Sequence, residues 1–115
     1  MLGFNHAFRG LRNLIKTERN FKIQLLLLCL VIFLGIFFKI TTTEWFFIIL
    51  SSIFVLSLEA LNSSLEKLAD TITLENNPKI KWVKDVSAAA VLIGAIGSVI
   101  VGCIIFIPYI IKLVR

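Results

Sequence analysis

The 115-residue sequence has one histidine, His6, which excludes histidine-rich metal sites. Its two cysteines, Cys29 and Cys103, lie inside apolar runs with no partner at zinc or redox spacing, and read as packing residues. No Gly-rich loop ends in Lys-Ser/Thr and no Rossmann glycine pattern is present, so two common ways of cradling a phosphate on backbone amides are absent. Charge is scarce. Only 17% of residues are Asp, Glu, Lys or Arg, whereas 58% are hydrophobic and the mean hydropathy is +0.96; soluble domains sit nearer a quarter charged. No small-residue cleavage site follows the first apolar run, so that run reads as a retained helix and not as a removed signal peptide. What is left is a small all-α integral membrane protein with no room for a second soluble domain. With so little mass outside the membrane, one chain struggles to enclose a site, and an oligomer is expected.

What the sequence does contain is three long apolar runs. "IQLLLLCLVIFLGIFF" lies between Lys22 and Lys39. It is short against the usual 20 or so residues, and the two lysines can snorkel to the headgroups. "WFFIILSSIFVLSL" opens on Trp45, an interfacial aromatic. "VSAAAVLIGAIGSVIVGCIIFIPYII" covers 86–111, with Pro108 and Tyr109 marking an end near an interface. The expected spans are therefore 23–40, 45–70 including a cytoplasmic extension, and 86–111, within one unit covering 1–115. Residues 1–22 are expected to form a surface helix, because Phe4, Phe8, Leu11, Leu14 and Ile15 recur at helical spacing among basic residues. Residues 41–43 read as a short external turn, and "TLENNPKIK" as a polar loop in which Pro78 stops helical continuation. Along the third span Ala90, Gly94, Ser98 and Gly102 fall four apart, a stripe that suits close helix packing, with a pore lining or a lipid groove as the functional alternative.

The net charge of +5 comes from residues that flank these runs, which suits lipid headgroups and topology and not nucleic acid. Nine Lys and Arg lie before the first span or in the second connection, against three on the other side (Lys39, Lys112 and Arg115). The positive-inside rule then places the N-terminus and the 66–85 connection in the cytoplasm.

Residues 58–70, "LEALNSSLEKLAD", continue from the second apolar run without a Pro or Gly break. At about 100° per residue, Glu59, Asn62, Ser63, Glu66 and Asp70 share one face, and Leu58, Leu61, Leu65 and Leu68 hold the opposite one. A solvated face on a helix leaving the bilayer accounts for Asp70 and Lys67. It does not account for Glu59, which directly follows the apolar run. An ionised group near mid-bilayer costs about 2.5–3.5 kcal/mol on insertion scales, and such a residue usually has a partner or a task. Glu66 can offer oxygens to a hard divalent cation together with phosphate. Lys84-Asp85 adds a phosphate-binding cation beside another acid, and Glu18 precedes the first span. Together they describe a charged cytoplasmic ring, with acids for a metal and Lys for phosphate.

The spacing Glu-x-x-Asn-Ser/Thr-x-x-Glu-x-x-x-Asp, followed about 14 residues later by Lys-Asp, resembles the signature of the small bacterial membrane lipid kinases, the diacylglycerol kinase/undecaprenol kinase family. Here it is Glu59, Asn62, Ser63, Glu66, Asp70, Lys84 and Asp85, with "TERNF" (17–21) and "HAFRG" (6–10) as further matches. The resemblance implies a homotrimer of three-span subunits with an N-terminal surface helix in the bacterial cytoplasmic membrane, moving the ATP γ-phosphate to a lipid alcohol at sites shared between neighbouring subunits. Carried over by position, Glu18 and Glu66 would hold Mg²⁺, Glu59 would act as general base, and Asn62 would fix Glu59 and the acceptor. Glu18, Glu66, Asp70, Glu75, Asn76, Asn77, Lys84 and Asp85 would meet the nucleotide, and Arg9, Glu59 and Ser63 the lipid. The family often has a His in the loop before the third span; here the loop reads "ENNP", with Asn77 as its replacement. "TERNF", "HAFRG" and the "EW" opening the second span look closer to the undecaprenol kinase branch, with diacylglycerol as the alternative acceptor. A non-enzymatic reading, an ion-conducting oligomer with the acids as selectivity ring or a regulatory protein, stands beside these. A pore needs acids at several depths facing an axis, whereas these cluster at one end with Lys84.

Overall fold

The computed structural model describes residues 2–115, which form four helices: α1 (Leu2–Thr17), α2 (Arg19–Phe38), α3 (Thr42–Ile72) and α4 (Pro78–Val114). Three of them, α2, α3 and α4, are long and apolar enough to cross a membrane. Lipid offers no partner to a backbone N–H or C=O, so an apolar run of this length closes its hydrogen bonds within itself as helix. The chain is an all-helical, multi-pass membrane protein.

The helix ends differ from the sequence expectation at each junction, for local reasons. The N-terminal helix stops at Thr17, not 22, because Glu18 takes an extended backbone (φ −100°, ψ 109°) that turns the chain into α2. At the far end of α2, Lys39 adopts the left-handed conformation (φ 54°). Its N–H donates to Ile36 O and that of Ile40 to Gly35 O, a Schellman stop. Thr41 then opens α3 with a reciprocal capping box: Glu44 N–H donates to Thr41 Oγ1 and Thr41 N–H to Glu44 Oε1. The third span begins at Pro78, not 86. Pro78 occupies the first helical position, where its missing N–H costs nothing, and so it starts a helix instead of ending one. Pro108 is passed without a break, and α4 runs on to Val114.

α3 and α4 form the main packing interface, α2 lies against α3, and α1 meets α2. The assembly measures 56 × 37 × 20 Å, a slab too thin to enclose side chains on every side. Large apolar residues therefore face outward along every span, among them Leu26, Phe33, Phe46, Leu50, Ile93 and Ile104. Cys29 and Cys103 share this fate: they are free and exposed, and not packed inside as their apolar settings had suggested. The apolar core lies at the end of the slab away from residues 59–85. There Ile40, Ile48, Ile105 and Phe106 are buried, with Phe38, Trp45 and Tyr109 against them. Tyr109 Oη donates to Glu44 Oε1, so one carboxylate caps α3 and ties α4 to it.

Two glycines matter for packing. A Cβ on Gly94 would lie 2.8 Å from Leu58 Cδ1, which gives that member of the small-residue stripe its reason. A Cβ on Gly35 would lie 2.6 Å from Trp45 Cη2, against a rigid ring. Overpacking costs about 1–3 kcal/mol, more than the 1 kcal/mol or so of helix propensity that alanine gains over glycine. Gly35→Ala is thus expected to lower the thermal unfolding midpoint in detergent. Gly102→Ala, whose Cβ meets nothing within 4 Å, is expected to keep or raise it.

Candidate active site

α3 is 31 residues long, so it reaches about 46 Å at 1.5 Å per residue, past the roughly 30 Å apolar core of a bilayer. Counted from its capped start at Thr42, Glu59 falls about 26 Å along the axis and Glu66 about 36 Å. On a span laid along the membrane normal with its apolar band starting at Thr42, Glu59 falls just inside that band and Glu66 just outside it. Both belong to the face that turns toward α2 and α4. Glu59, Asn62 and Ser63 are buried, Glu59 to 3% exposure, while Leu61, Leu65 and Leu68 point outward. This disposes of the solvated-face reading for Glu59. Glu66 and Asp70 are exposed.

Glu59 closes one end of a groove of about 380 Å³ between α2, α3 and α4. Its walls are aliphatic, with Leu27, Val55, Val91 and Val99 among them, and its polar groups are few: Asn20, Gln24, Ser52, Ser98 and Glu59. Ser98, a member of the small-residue stripe, lines this groove, the alternative to packing that the stripe left open. The neighbours of Glu59 are neutral. Gln24 Nε2 donates to Glu59 Oε2 at 3.4 Å, and Asn20 stands beside the same carboxylate. The Gln24 carbonyl oxygen is buried without a hydrogen-bond partner.

Glu18 and Glu66 both lie within Coulombic range of Glu59. Among the described residues only two ion pairs form, Lys81–Asp85 and Lys84–Asp70, so none of these three glutamates has a cation of its own. Glu18 also makes no capping hydrogen bond to α2, although it occupies the capping position. Two carboxylates without a cationic partner, at the water edge of the site, fit a hard divalent ion of the Mg²⁺ type. Such an ion binds through one or two carboxylates plus substrate phosphates and not in an all-protein cage. Among the described residues no group of three or more His, Cys, Asp or Glu is placed to hold a metal ion.

Asn62 was expected at Glu59, and its hydrogen bonds go elsewhere. Its Oδ1 accepts from Ser87 Oγ at 2.7 Å, across to α4, and its Nδ2 donates to Glu66 Oε1 at 3.5 Å. It thereby orients Glu66 and locks α3 to α4. Ser63 is buried but does not line the groove, and Arg9 lies on α1 outside it, its Nη1 3.3 Å from His6 Nδ1. Glu75, Asn76, Asn77 and Lys84 line a second cleft of about 440 Å³ at the α3–α4 connection. Asn77 is the helix cap of α4: its Oδ1 accepts from the N–H groups of Lys79 and Ile80. Its carbonyl is thus committed, which limits it as a stand-in for a histidine. Asp70 is tied to Lys84, and Asp85 to Lys81.

Sequence reasoning missed Gln24, Asn20, Ser87 and Lys81. Gln24 left a signal, as the one amide inside the first apolar run. Ser87 left none, since a serine beside alanines reads as small, not as a donor.

A helical membrane protein that holds an unpaired carboxylate at the lipid edge, with further acids and two lysines at the water edge, is built as an enzyme working between the two phases. Residues 5–106 match the family described as prokaryotic diacylglycerol kinase. An undecaprenol kinase of Bacillus subtilis is 38% identical over 105 residues, covering 91% of this chain and 85% of that protein. A diacylglycerol kinase of Synechocystis is 32% identical over 114 residues, 98% of this chain and 65% of that protein. One of Haemophilus influenzae is 32% identical over 102 residues, 88% and 86%. The chain belongs to the prokaryotic diacylglycerol kinase family and is a membrane lipid kinase, an enzyme and not a passive oligomer.

The Asn62–Ser87 bond is the buried link between the two helices that frame the site. Removing one partner of a buried hydrogen bond costs about 1–3 kcal/mol. Asn62→Ala is expected to lower both the unfolding midpoint and the activity. In a double-mutant cycle with Ser87→Ala the two losses should be non-additive by at least about 0.5 kcal/mol; additive losses would deny the link.

Proposed function

We propose that this chain transfers the γ-phosphate of Mg²⁺-ATP to the hydroxyl of undecaprenol, giving undecaprenyl phosphate, at the cytoplasmic face of the bacterial cytoplasmic membrane. The observation that carries this reading is the position of Glu59: buried, without a cation, and closing an aliphatic groove. A lipid alcohol that lays its chain in the groove brings its hydroxyl to that carboxylate. Glu59 accepts the hydroxyl proton as the alcohol oxygen attacks the γ-phosphorus. The bond from that phosphorus to the β-bridging oxygen breaks, and ADP leaves. Phosphoryl transfer needs alignment and charge neutralisation more than covalent help from the protein. Gln24 aims the base through its amide donor, and Asn62 holds Glu66. Glu18 and Glu66 are the residues that would hold Mg²⁺, which when bound offsets the phosphate charge. Glu75, Asn76 and Lys84 line the cleft on the water side, and that cleft is where the nucleotide is assigned.

Undecaprenol is preferred because the relative named for it shares 38% identity, against 32% for the two named diacylglycerol kinase. The groove has aliphatic walls and suits a prenyl chain, and those same walls accommodate an acyl chain, so diacylglycerol is the second reading. The homotrimer is supported by the outward face of α3. Leu65, Leu68 and Ile72 are exposed on the part of the helix beyond the apolar core, where lipid no longer covers them and a sister copy can. On α1, Phe4, Phe8, Leu11 and Ile15 are exposed, and a headgroup layer would cover them. The count of basic residues supports a cytoplasmic N-terminus.

The test is transfer of labelled γ-phosphate in mixed micelles, with undecaprenol and a diacylglycerol offered separately and Glu66→Gln as the blank. Undecaprenol is expected to take the label. Label on diacylglycerol alone would move the assignment to the second reading. Glu59→Gln is expected to lose about 10²-fold or more of the transfer rate while still binding Mg²⁺-ATP; full transfer by that variant would remove Glu59 from the role of base.

A further inference from the structure

We propose that Lys81 is a second phosphate-holding residue of the nucleotide cleft, acting beside Lys84, and that Asp85 and Asp70 occupy the two ammonium groups until the nucleotide displaces them. This rests on the ATP reading above and concerns a residue that neither the sequence pattern nor the family resemblance singled out.

The starting point is what the cleft lacks. It is built where α3 ends and α4 begins, and a helix N-terminus is ordinarily a ready anion site because its first amides are free. Here they are not. Pro78 has no N–H, the N–H groups of Lys79 and Ile80 donate to Asn77 Oδ1, and that of Lys81 donates to Asn77 O. The backbone therefore has no first-turn donor left for a phosphate, and the sequence has no Gly-rich loop to supply others. Besides a bound metal ion, phosphate charge in this cleft falls to side-chain cations. Two line it, Lys81 and Lys84; Lys79 does not. They are three residues apart on α4, which puts them on one face of the helix about one turn apart, spaced to straddle neighbouring phosphates.

Each ammonium group holds one acid. Lys84 Nζ donates to Asp70 Oδ1, across from α3, and Lys81 Nζ donates to Asp85 Oδ2 one turn along α4. Both pairs are solvent-exposed, with side-chain exposures of 76% and 63% for Lys81–Asp85 and 38% and 47% for Lys84–Asp70. Exposed pairs of this kind stabilise a protein little. A polyphosphate, with more charge and more acceptor oxygens, forms the stronger charge-assisted bonds and displaces the carboxylates. The exchange also frees Asp85, an acceptor with no remaining cation, for the sugar hydroxyls. The acids thus hold the two lysines that line the cleft.

The same cation could instead hold the phosphate of an anionic lipid headgroup, and the test separates the two. Binding of radiolabelled ATP with Mg²⁺ is measured by equilibrium dialysis in non-ionic micelles, with and without phosphatidylglycerol, for the wild type, Lys81→Gln and Lys81→Arg. Transfer kinetics are read on the same proteins. Lys81→Gln is expected to raise the Kd and the KM for Mg²⁺-ATP about tenfold, with kcat within twofold and the lipid KM unchanged. Lys81→Arg should restore most of the affinity. In the wild-type protein, Mg²⁺-ATP should slow acetylation of Lys81, a readout that needs no variant to fold. If wild type and Lys81→Gln bind ATP equally, or if ATP leaves acetylation unchanged, the inference fails while the kinase reading stands. An effect that appears only with phosphatidylglycerol assigns Lys81 to a headgroup and also overturns it. A wild-type protein that binds no ATP overturns the nucleotide reading itself.

Discussion

Everything at the working end of this protein follows from keeping a carboxylate at the edge of the apolar band. Desolvating an ionised group is expensive, and an adjacent cation, which would offset the cost, would also lower the basicity on which the proposed role of Glu59 depends. The structure uses neutral donors instead. Gln24 donates its amide to Glu59, Asn20 stands next to it, and both reach it from α2. α2 can do this only because Glu18 breaks the chain out of α1 and sets α2 against α3. The same break leaves the Glu18 carboxylate free of any capping hydrogen bond and near Glu59. One backbone turn thus places an acid at the start of α2 and sends into the apolar band the helix whose Gln24 donates to Glu59.

Depth is the second organising quantity. Glu59 and Glu66 are two helical turns apart, about 10 Å along the axis, and that distance separates lipid from water. A single unbroken helix carries both because the boundary has to be crossed by one polar face without a gap in hydrogen bonding. α4 does the same from the other side. It begins in water at the Asn77 cap, passes Ser87 where Asn62 locks it to α3, and presents Ser98 and Val99 to the groove. The far end of the slab anchors these helices. The Lys39 turn, the Thr41–Glu44 capping box and the Tyr109 hydroxyl fix where each helix starts or stops. Helix starts set depth, and so the outer cluster bears on where Glu59 lies.

Much of this was legible in the sequence. The three apolar runs define three spans because their length and composition leave lipid no alternative to helix. The polar face of α3 was legible from helical period, and Glu59 stood out because an acid directly follows an apolar run. Helix ends were read less well. By sequence Pro78 reads as a stop, and in the structure it is a start, since proline is disfavoured inside a helix but welcome at its first position. The cysteines read as packing residues, and a slab of this thinness leaves them on its outside. Asn62 was placed on the correct face, but its partner was not, because a face of a helix does not say which neighbour it will meet.

The sequence by itself determined the class of structure, the face that bears the acids, the order in which Glu59 and Glu66 follow the apolar run, and, through spacing, the family. These are properties of one helix in one solvent, fixed by period, length and hydropathy. Only the tertiary structure decided what stands beside each group: Gln24 at Glu59, Ser87 at Asn62, Asp70 at Lys84, and a closed cap where an anion site was to be expected. Those pairings join residues on different helices or commit backbone amides at a turn. They depend on the rotation and height of each helix against its neighbour, which no periodicity along one chain segment encodes.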